Sequence, residues 1–206
     1  MKILCITPVD NIKGICNRLE NLGNVVYMPD INSIELSQEL LKGYDVIFTN
    51  PNRQNFMLDE NNLSNSNIKY IVTASTGTNH IDLKFCERNG IDVTCIAKER
   101  ETLDRITSTA ELAFTLMMMS LRNVRDSISS VKRGNWDCEP FIGRQLNKLK
   151  VCIVGYGRLG TMMAKYCSAF GAKIFIVDPF NRSVKYENTN LEWALKNCDV
   201  ISLHVH

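Results

Sequence analysis

Hydrophobic positions in this chain fall in short bursts of strand length, separated by stretches whose apolar residues recur at helical spacing. Ile3–Thr7, Asn24–Met28, Val46–Thr49, Tyr70–Ala74 and Ile91–Cys95 are β-branched or aromatic runs bounded by turn formers, and they predict strands. Between them Lys13–Leu22, Ser33–Leu41, Leu58–Leu63 and Asp82–Asn89 predict helices. The third is the weakest pattern, because Asn61, Asn62, Asn65 and Asn67 crowd it with turn chemistry. Strand–helix alternation with short connections implies a parallel sheet covered on both faces, so residues 1–104 read as one doubly wound domain.

The pattern changes at Thr107. From there to Lys132 it predicts one long helix, opened by Ser108 or Thr109 as cap with Glu111 nearby. Leu112, Phe114, Leu116, Met117, Met118, Met119 and Leu121 are too many for a single buried stripe. They predict burial between domains, a subunit interface, or both. Gly134-Asn135-Trp136 ends the helix. A second strand–helix series follows at Lys150–Val154, Leu159–Phe170, Lys173–Val177, Leu191–Asn197 and Val200–Val205, placing a second domain at 105–206.

Composition narrows the function. A formal net charge of +2 with no basic block argues against nucleic acid, and 45% hydrophobic content supports a real core. The eight cysteines form no CxxC pair and several sit in apolar runs, as reduced thiols of a cytoplasmic protein do, so zinc, other metals and disulfides are not expected. Met1–Ile6 reads as a strand rather than a signal peptide, and no apolar stretch is long enough to span a bilayer.

The strongest chemical signal is Gly155-Tyr156-Gly157-Arg158-Leu159-Gly160, between the strand Lys150–Val154 and a helix, answered by Asp178 at the end of the next strand. Gly155 permits the turn, Gly157 lets a diphosphate approach the backbone, and Gly160 lets the helix pack on the sheet. N–H groups near Arg158 and Leu159 would then meet the phosphates at the positive end of the helix. Asp178 suits both ribose hydroxyls of the adenosine and repels a 2′-phosphate, which favours NAD over NADP despite Arg182 nearby. Its bland alternative is a turn residue ahead of Pro179. His204, at the end of what reads as the third strand of this domain, faces the crevice where such sheets bind ligands.

Several segments together resemble the NAD-dependent D-isomer-specific 2-hydroxyacid dehydrogenases, especially phosphoglycerate-dehydrogenase-like members. They are Ser75–Asp82, Thr109–Leu112, Arg133–Trp136, the glycine turn, Val177-Asp178-Pro179 and Asp199–Val205, in the family's order. The fold this implies is α/β, a flavodoxin-like parallel-sheet substrate domain followed by an incomplete Rossmann NAD-binding domain. The resemblance implies that Ser75, Thr76, Gly77 and Thr78 present backbone N–H groups to a substrate carboxylate, with Arg53 at the substrate-facing edge. It implies that Thr76, Thr109, Tyr156, Arg158, Leu159, Asp178, Pro179, His204 and Val205 line the NAD site with the three glycines.

The implied reaction is hydride transfer between nicotinamide and a small 2-hydroxy or 2-oxo acid, in a homodimer formed through the 107–132 helix. The resemblance places the family's catalytic arginine, glutamate and histidine beyond the strand that ends at His204. No catalytic residue is therefore assigned: His80 and His206 are poor substitutes. Only three strands of the second domain are counted, with Lys150–Val154 as an exposed edge. The chain is expected to be a fragment or a truncated product with little or no turnover of its own. The alternative is a catalytically inactive NAD-binding sensor or scaffold of the same fold. A methyltransferase using the glycine turn for S-adenosylmethionine would explain neither Ser75–Asp82 nor the first domain.

Overall fold

A computed structural model describes residues 1–205, so the reading of His206 lies outside the described residues. Two units emerge, Met1–Leu103 and Asp104–His206. In the first, β1 (Lys2–Cys5), β2 (Asn24–Tyr27), β3 (Val46–Thr49), β4 (Tyr70–Thr73) and β5 (Asp92–Cys95) pair in the order β2-β1-β3-β4-β5, all parallel. That is the flavodoxin-like order. Helices α1 (Ile15–Glu20), α2 (Ser33–Leu40), α3 (Glu60–Leu63) and α4 (Leu83–Arg88) connect the strands.

Alternation along each strand sends neighbours to opposite faces. Leu4, Ile6, Ile47 and Ile71 pack with Leu36, Leu40 and Phe85, whereas Cys5 joins Val9 and Leu19 on the other side. The third helix is shorter than its pattern because Leu58 is drawn into a bridge with Ile81. Leu58 N–H donates to His80 O and Leu58 O accepts from Asp82 N–H, each at 2.8 Å. Asp59 caps what remains, accepting from Asn61 N–H.

The second unit follows α5 (Arg100–Asp104), and here the single long helix is corrected to two, α6 (Ser108–Leu121) and α7 (Val124–Lys132). The break has a local cause. Leu121 O accepts from Arg144 N–H at 2.8 Å, so it is spoken for by the returning chain. Asn123 turns left-handed, φ 51°, and its side chain donates to Ile142 O. The cap is also corrected: it is Thr107, whose hydroxyl donates to Glu111 at 2.6 Å, rather than Ser108 or Thr109. Asn tolerates the left-handed region and β-branched residues do not. Asn123→Val is therefore expected to lower stability by about 1–2 kcal/mol in urea unfolding. An unchanged midpoint would mean that the two helices can merge into one.

β6 (Lys150–Val154), α8 (Arg158–Ala169), β7 (Lys173–Val177), β8 (Glu187–Asn188), α9 (Leu191–Asn197) and β9 (Val200–Leu203) complete the unit. Their parallel sheet has the order β8-β7-β6-β9. The count of three strands, with Lys150–Val154 at the edge, is therefore wrong. β8 is a further strand, β9 is the fourth, and β6 lies inside the sheet. With α8 leading to one side of β6 and α9 to the other, the strand order reverses between β6 and β9, the position where such sheets bind ligands.

Val151, Ile153, Met163, Ala164 and Cys167 form the core under α8, and Cys152, Phe175 and Ala194 the core under α9. α6 adds Phe114, Met117, Met118 and Leu121 to the first of these, with the Phe114 ring 5.0 Å from that of Phe170. Its other face leaves Leu112 and Leu116 more than half exposed. No helix among the described residues is long and apolar enough to cross a membrane.

Candidate functional site

β6 delivers the chain into the glycine turn, and two of the three glycines are demanded by the protein itself. Gly155 has φ +90°, and a Cβ there would lie 2.5 Å from His204 O. At Gly160 a Cβ would lie 1.9 Å from Gly155 O, so α8 can sit against the turn only with no side chain at this point. Gly157 differs. Its backbone is extended and a Cβ would meet nothing within 4 Å. Packing gives no reason for glycine there, and the open side is where a bound group would need bare backbone. Among the described residues, the N–H groups of Gly157, Leu159 and Gly160 find no acceptor, as is usual at a helix start, and such free N–H groups can meet an anion.

Asp178 ends β7 opposite this turn and grips it. Its Oδ2 accepts Tyr156 N–H at 2.6 Å, while Oδ1 accepts the N–H groups of Phe180 and Asn181 at 2.8 and 2.7 Å. These bonds, from Asn181, Tyr156 and Phe180 in order of weight, hold its carboxyl down at about 2. An ionised carboxylate has about four acceptor positions; three are taken by these N–H groups and the fourth is held only by the Asn181 side-chain amide, at a long 3.4 Å from Oδ2. Asp178 also lines an open cleft of about 380 Å³ with Ile176, Arg182, Asn188, Thr189 and Asn190. Asn188 to Asn190 were not anticipated, since their strand is too short and polar to register as a pattern.

The remaining cofactor candidates are distributed around the turn or bound elsewhere. Tyr156 folds its ring against Tyr186, centroids 6.4 Å apart. Arg158 Nη1 donates to Ile106 O at 2.6 Å, tying α8 to the approach to α6. Leu159 is half-buried, Pro179 is exposed, and Thr109 is exposed in the first turn of α6. His204 presses its carbonyl on Gly155, and its N–H donates to Val154 O at 2.7 Å. Its imidazole meets Ser202 Oγ at 2.9 Å, and burial lowers its pKa. Val205 Cγ1 would be 2.9 Å from a Cβ on Gly155. Among the described residues, neither His204 nor His80 hydrogen-bonds a carboxylate.

In the first unit Ser75, Thr76, Gly77, Asn79 and His80 line an open cleft of about 520 Å³ with Pro51 and Asn55 to Met57. The loop leaves β4 at its carboxyl end. Among the described residues, the N–H groups of Thr76, Gly77 and Thr78 have no acceptor, while Thr78 O takes Ile81 N–H at 2.9 Å. Successive free N–H groups in a tight turn form an anion nest. Arg53 is not in this cleft lining; its guanidinium pairs with Asp30 at 2.8 Å, both side chains more than half exposed. Asn55, left-handed at φ 52°, was missed, although the Pro51-Asn52 turn after β3 marks its loop.

A flavodoxin-ordered unit with a turn of free N–H groups and a four-stranded nucleotide-type unit with an acid-clamped glycine turn together define a dinucleotide-linked class of α/β protein. The comparisons agree. Residues 8–135 match the catalytic domain of the D-isomer specific 2-hydroxyacid dehydrogenases, and residues 114–206 match their NAD binding domain. The chain belongs to the D-isomer specific 2-hydroxyacid dehydrogenase family. It is 33% identical over 138 residues to a D-specific alpha-keto acid dehydrogenase of Enterococcus faecalis, covering 67% of this chain and 41% of that one. Against D-3-phosphoglycerate dehydrogenase of Archaeoglobus fulgidus it is 32% identical, over 68% of this chain and 26% of the other. The structure of D-lactate dehydrogenase from Aquifex aeolicus, complexed with NAD and lactic acid, superposes with a TM-score of 0.81 at 29% identity, over all of this chain and 60% of the other. The chain thus spans well under half the length of these two curated relatives.

Proposed function

We propose that this chain carries the adenosine clamp and the substrate-anion loop of an NAD-dependent oxidoreductase acting on the CH–OH group of a D-2-hydroxy acid, phosphoglycerate-dehydrogenase-like in substrate class. The observation that carries the reading is Gly157, a glycine with open space around it between two glycines that packing requires. Its bare backbone, with the free N–H groups of Leu159 and Gly160, suits the diphosphate, and a ribose hydroxyl can take the Asp178 acceptor position that the Asn181 amide holds only at 3.4 Å. Tyr156, Arg158, Pro179, His204 and Val205 shape the rim. When bound, NAD supplies the hydride acceptor and its reduced form the donor.

Thr76 and Thr109 complete the cofactor contacts, and the N–H groups of residues 76–78 take the substrate carboxylate. A carboxylate next to the reacting carbon is common to 2-oxo acids, 3-phosphoglycerate and hydroxypyruvate, for which curated relatives are named. Arg53 can join a substrate anion by leaving Asp30, since exposed ion pairs contribute only about 0–1 kcal/mol. The exposed apolar face of α6, with Ile128 and Val131 on α7, supports a homodimer through residues 107–132. Eight free cysteines support a cytoplasmic setting, and the near-neutral charge supports small-molecule rather than nucleic-acid binding.

Calorimetric titration of the chain with NAD and with NADP tests the assignment. NAD is expected to bind at least about tenfold more tightly, because Asp178 repels a 2′-phosphate. Equal or tighter binding of NADP would overturn it.

A further inference from the structure

Three side chains beside the anion loop form an unbroken hydrogen-bond line. His80 Nε2 lies 3.3 Å from Thr73 Oγ1, Thr73 Oγ1 lies 2.8 Å from Ser75 Oγ, and Ser75 Oγ lies 2.6 Å from the carbonyl oxygen of Gly77. Proton counting orders the line. A carbonyl only accepts, so Ser75 commits its single hydroxyl proton to Gly77. Ser75 Oγ then accepts from Thr73, which commits its own proton. Thr73 Oγ1 is left as an acceptor, so His80 Nε2 must carry hydrogen. Ser75 N–H, 3.4 Å from Thr73 Oγ1, is a second and weaker donor to the same oxygen.

We propose that His80, in its Nε2–H form, is a positioning residue for the carboxylate loop, acting through Thr73 and Ser75 to hold the Gly77–Thr78 peptide in one orientation. The proposal rests on the reading of residues 76–78 as the anion loop. In a trans peptide the C=O and N–H point opposite ways. With Gly77 O held by Ser75, the Thr78 N–H faces away from Ser75 and keeps no partner among the described residues. The line cannot readily be replaced by water, since Thr73 is 1% exposed. His80 is itself fixed by its backbone, whose carbonyl takes Leu58 N–H at 2.8 Å. Burial lowers the pKa of the imidazole, which favours a neutral ring with one committed N–H. His80 touches no reacting group in this scheme, so its role is orientation and not proton transfer.

The test uses the 206-residue chain with nitrogen-labelled histidine, and oxalate as the probe anion. Long-range proton–nitrogen NMR is expected to show His80 protonated at Nε2; a neutral Nδ1–H ring would overturn the proposal. Thr73→Val and His80→Phe are expected to move the Thr78 amide resonance and to weaken oxalate binding about fivefold, the scale of one lost hydrogen bond. His80→Gln retains an N–H donor at similar reach and is expected to stay within about twofold of wild type. Equal behaviour of the Phe and Gln variants, or an unmoved Thr78 amide in both Thr73→Val and His80→Phe, would also overturn it. If oxalate shifts no loop amide in the wild-type chain, the carboxylate-loop reading fails. The tautomer and the Thr78 resonance then still decide the role of His80.

Discussion

Gly160→Ala is expected to remove most of the stability of the second unit, whereas Gly157→Ala leaves that stability intact and abolishes dinucleotide binding. The contrast follows from what each new methyl group meets. At Gly160 the Cβ falls 1.9 Å from Gly155 O and 3.2 Å from Ile153 Cγ2. The obstacle is main chain at the end of β6, in a turn whose own φ of +90° and contact with His204 allow little retreat. α8 must lift from the sheet, taking Met163, Ala164 and Cys167 out of the core. Overpacking typically costs about 1–3 kcal/mol when side chains can adjust, and backbone cannot, so about 3 kcal/mol or more is expected. Both tryptophans, Trp136 and Trp193, lie in the second unit, so tryptophan fluorescence in urea reports this unit alone. A Gly160→Ala midpoint equal to wild type would sink the packing account. NAD affinity retained by Gly157→Ala would sink the ligand account, and the two outcomes are independent.

How far the sequence alone could reach follows from the same physics. Parallel strands buried on both faces are apolar throughout, so Val151–Val154 and Ile174–Val177 were legible as strands, and the glycines between them as a turn. β8 was not legible, because Glu187 and Asn188 are polar and exposed, and their pairing with β7 leaves no apolar pattern in the sequence. Missing that strand mislabelled β9 as the third and put β6 at an edge. The break at Asn123 was hidden for another reason. Nothing in Arg122-Asn123-Val124 forbids helix; the demand comes from Arg144, whose N–H takes the Leu121 carbonyl. At the site, residue types were legible and their mutual bonds were not. Ser75, Thr76 and Asp178 stood out as candidates, but the Thr73–His80 line and the grip of Asp178 on Tyr156 depend on contacts across loops.

Asp178→Ala is expected to lose on both counts, stability and cofactor affinity, because one carboxylate serves both. Without it the N–H groups of Tyr156, Phe180 and Asn181 lose their acceptor. By analogy with a removed helix cap, about 1–2 kcal/mol of stability is expected to go. The turn before Gly157 is then no longer held, and the ribose acceptor is gone, so NAD affinity is expected to fall about tenfold or more. Asp178→Asn separates charge from shape. Its single carbonyl oxygen can keep Phe180 and Asn181, but its amide would then face Tyr156 N–H, donor against donor. The pH dependence carries a definite sign. The carboxyl is held at about 2 against an ordinary 3.8, so the folded state favours the ionised form. Its contribution is therefore full above about pH 4 and is lost as pH falls towards about 2. The wild-type lead over Asp178→Asn in urea midpoint should shrink across that window and stay flat above it. A drop in stability with NAD affinity unchanged would reduce Asp178 to scaffold and withdraw its role in choosing NAD. A drop in affinity with stability unchanged would mean the three N–H bonds do not hold the turn.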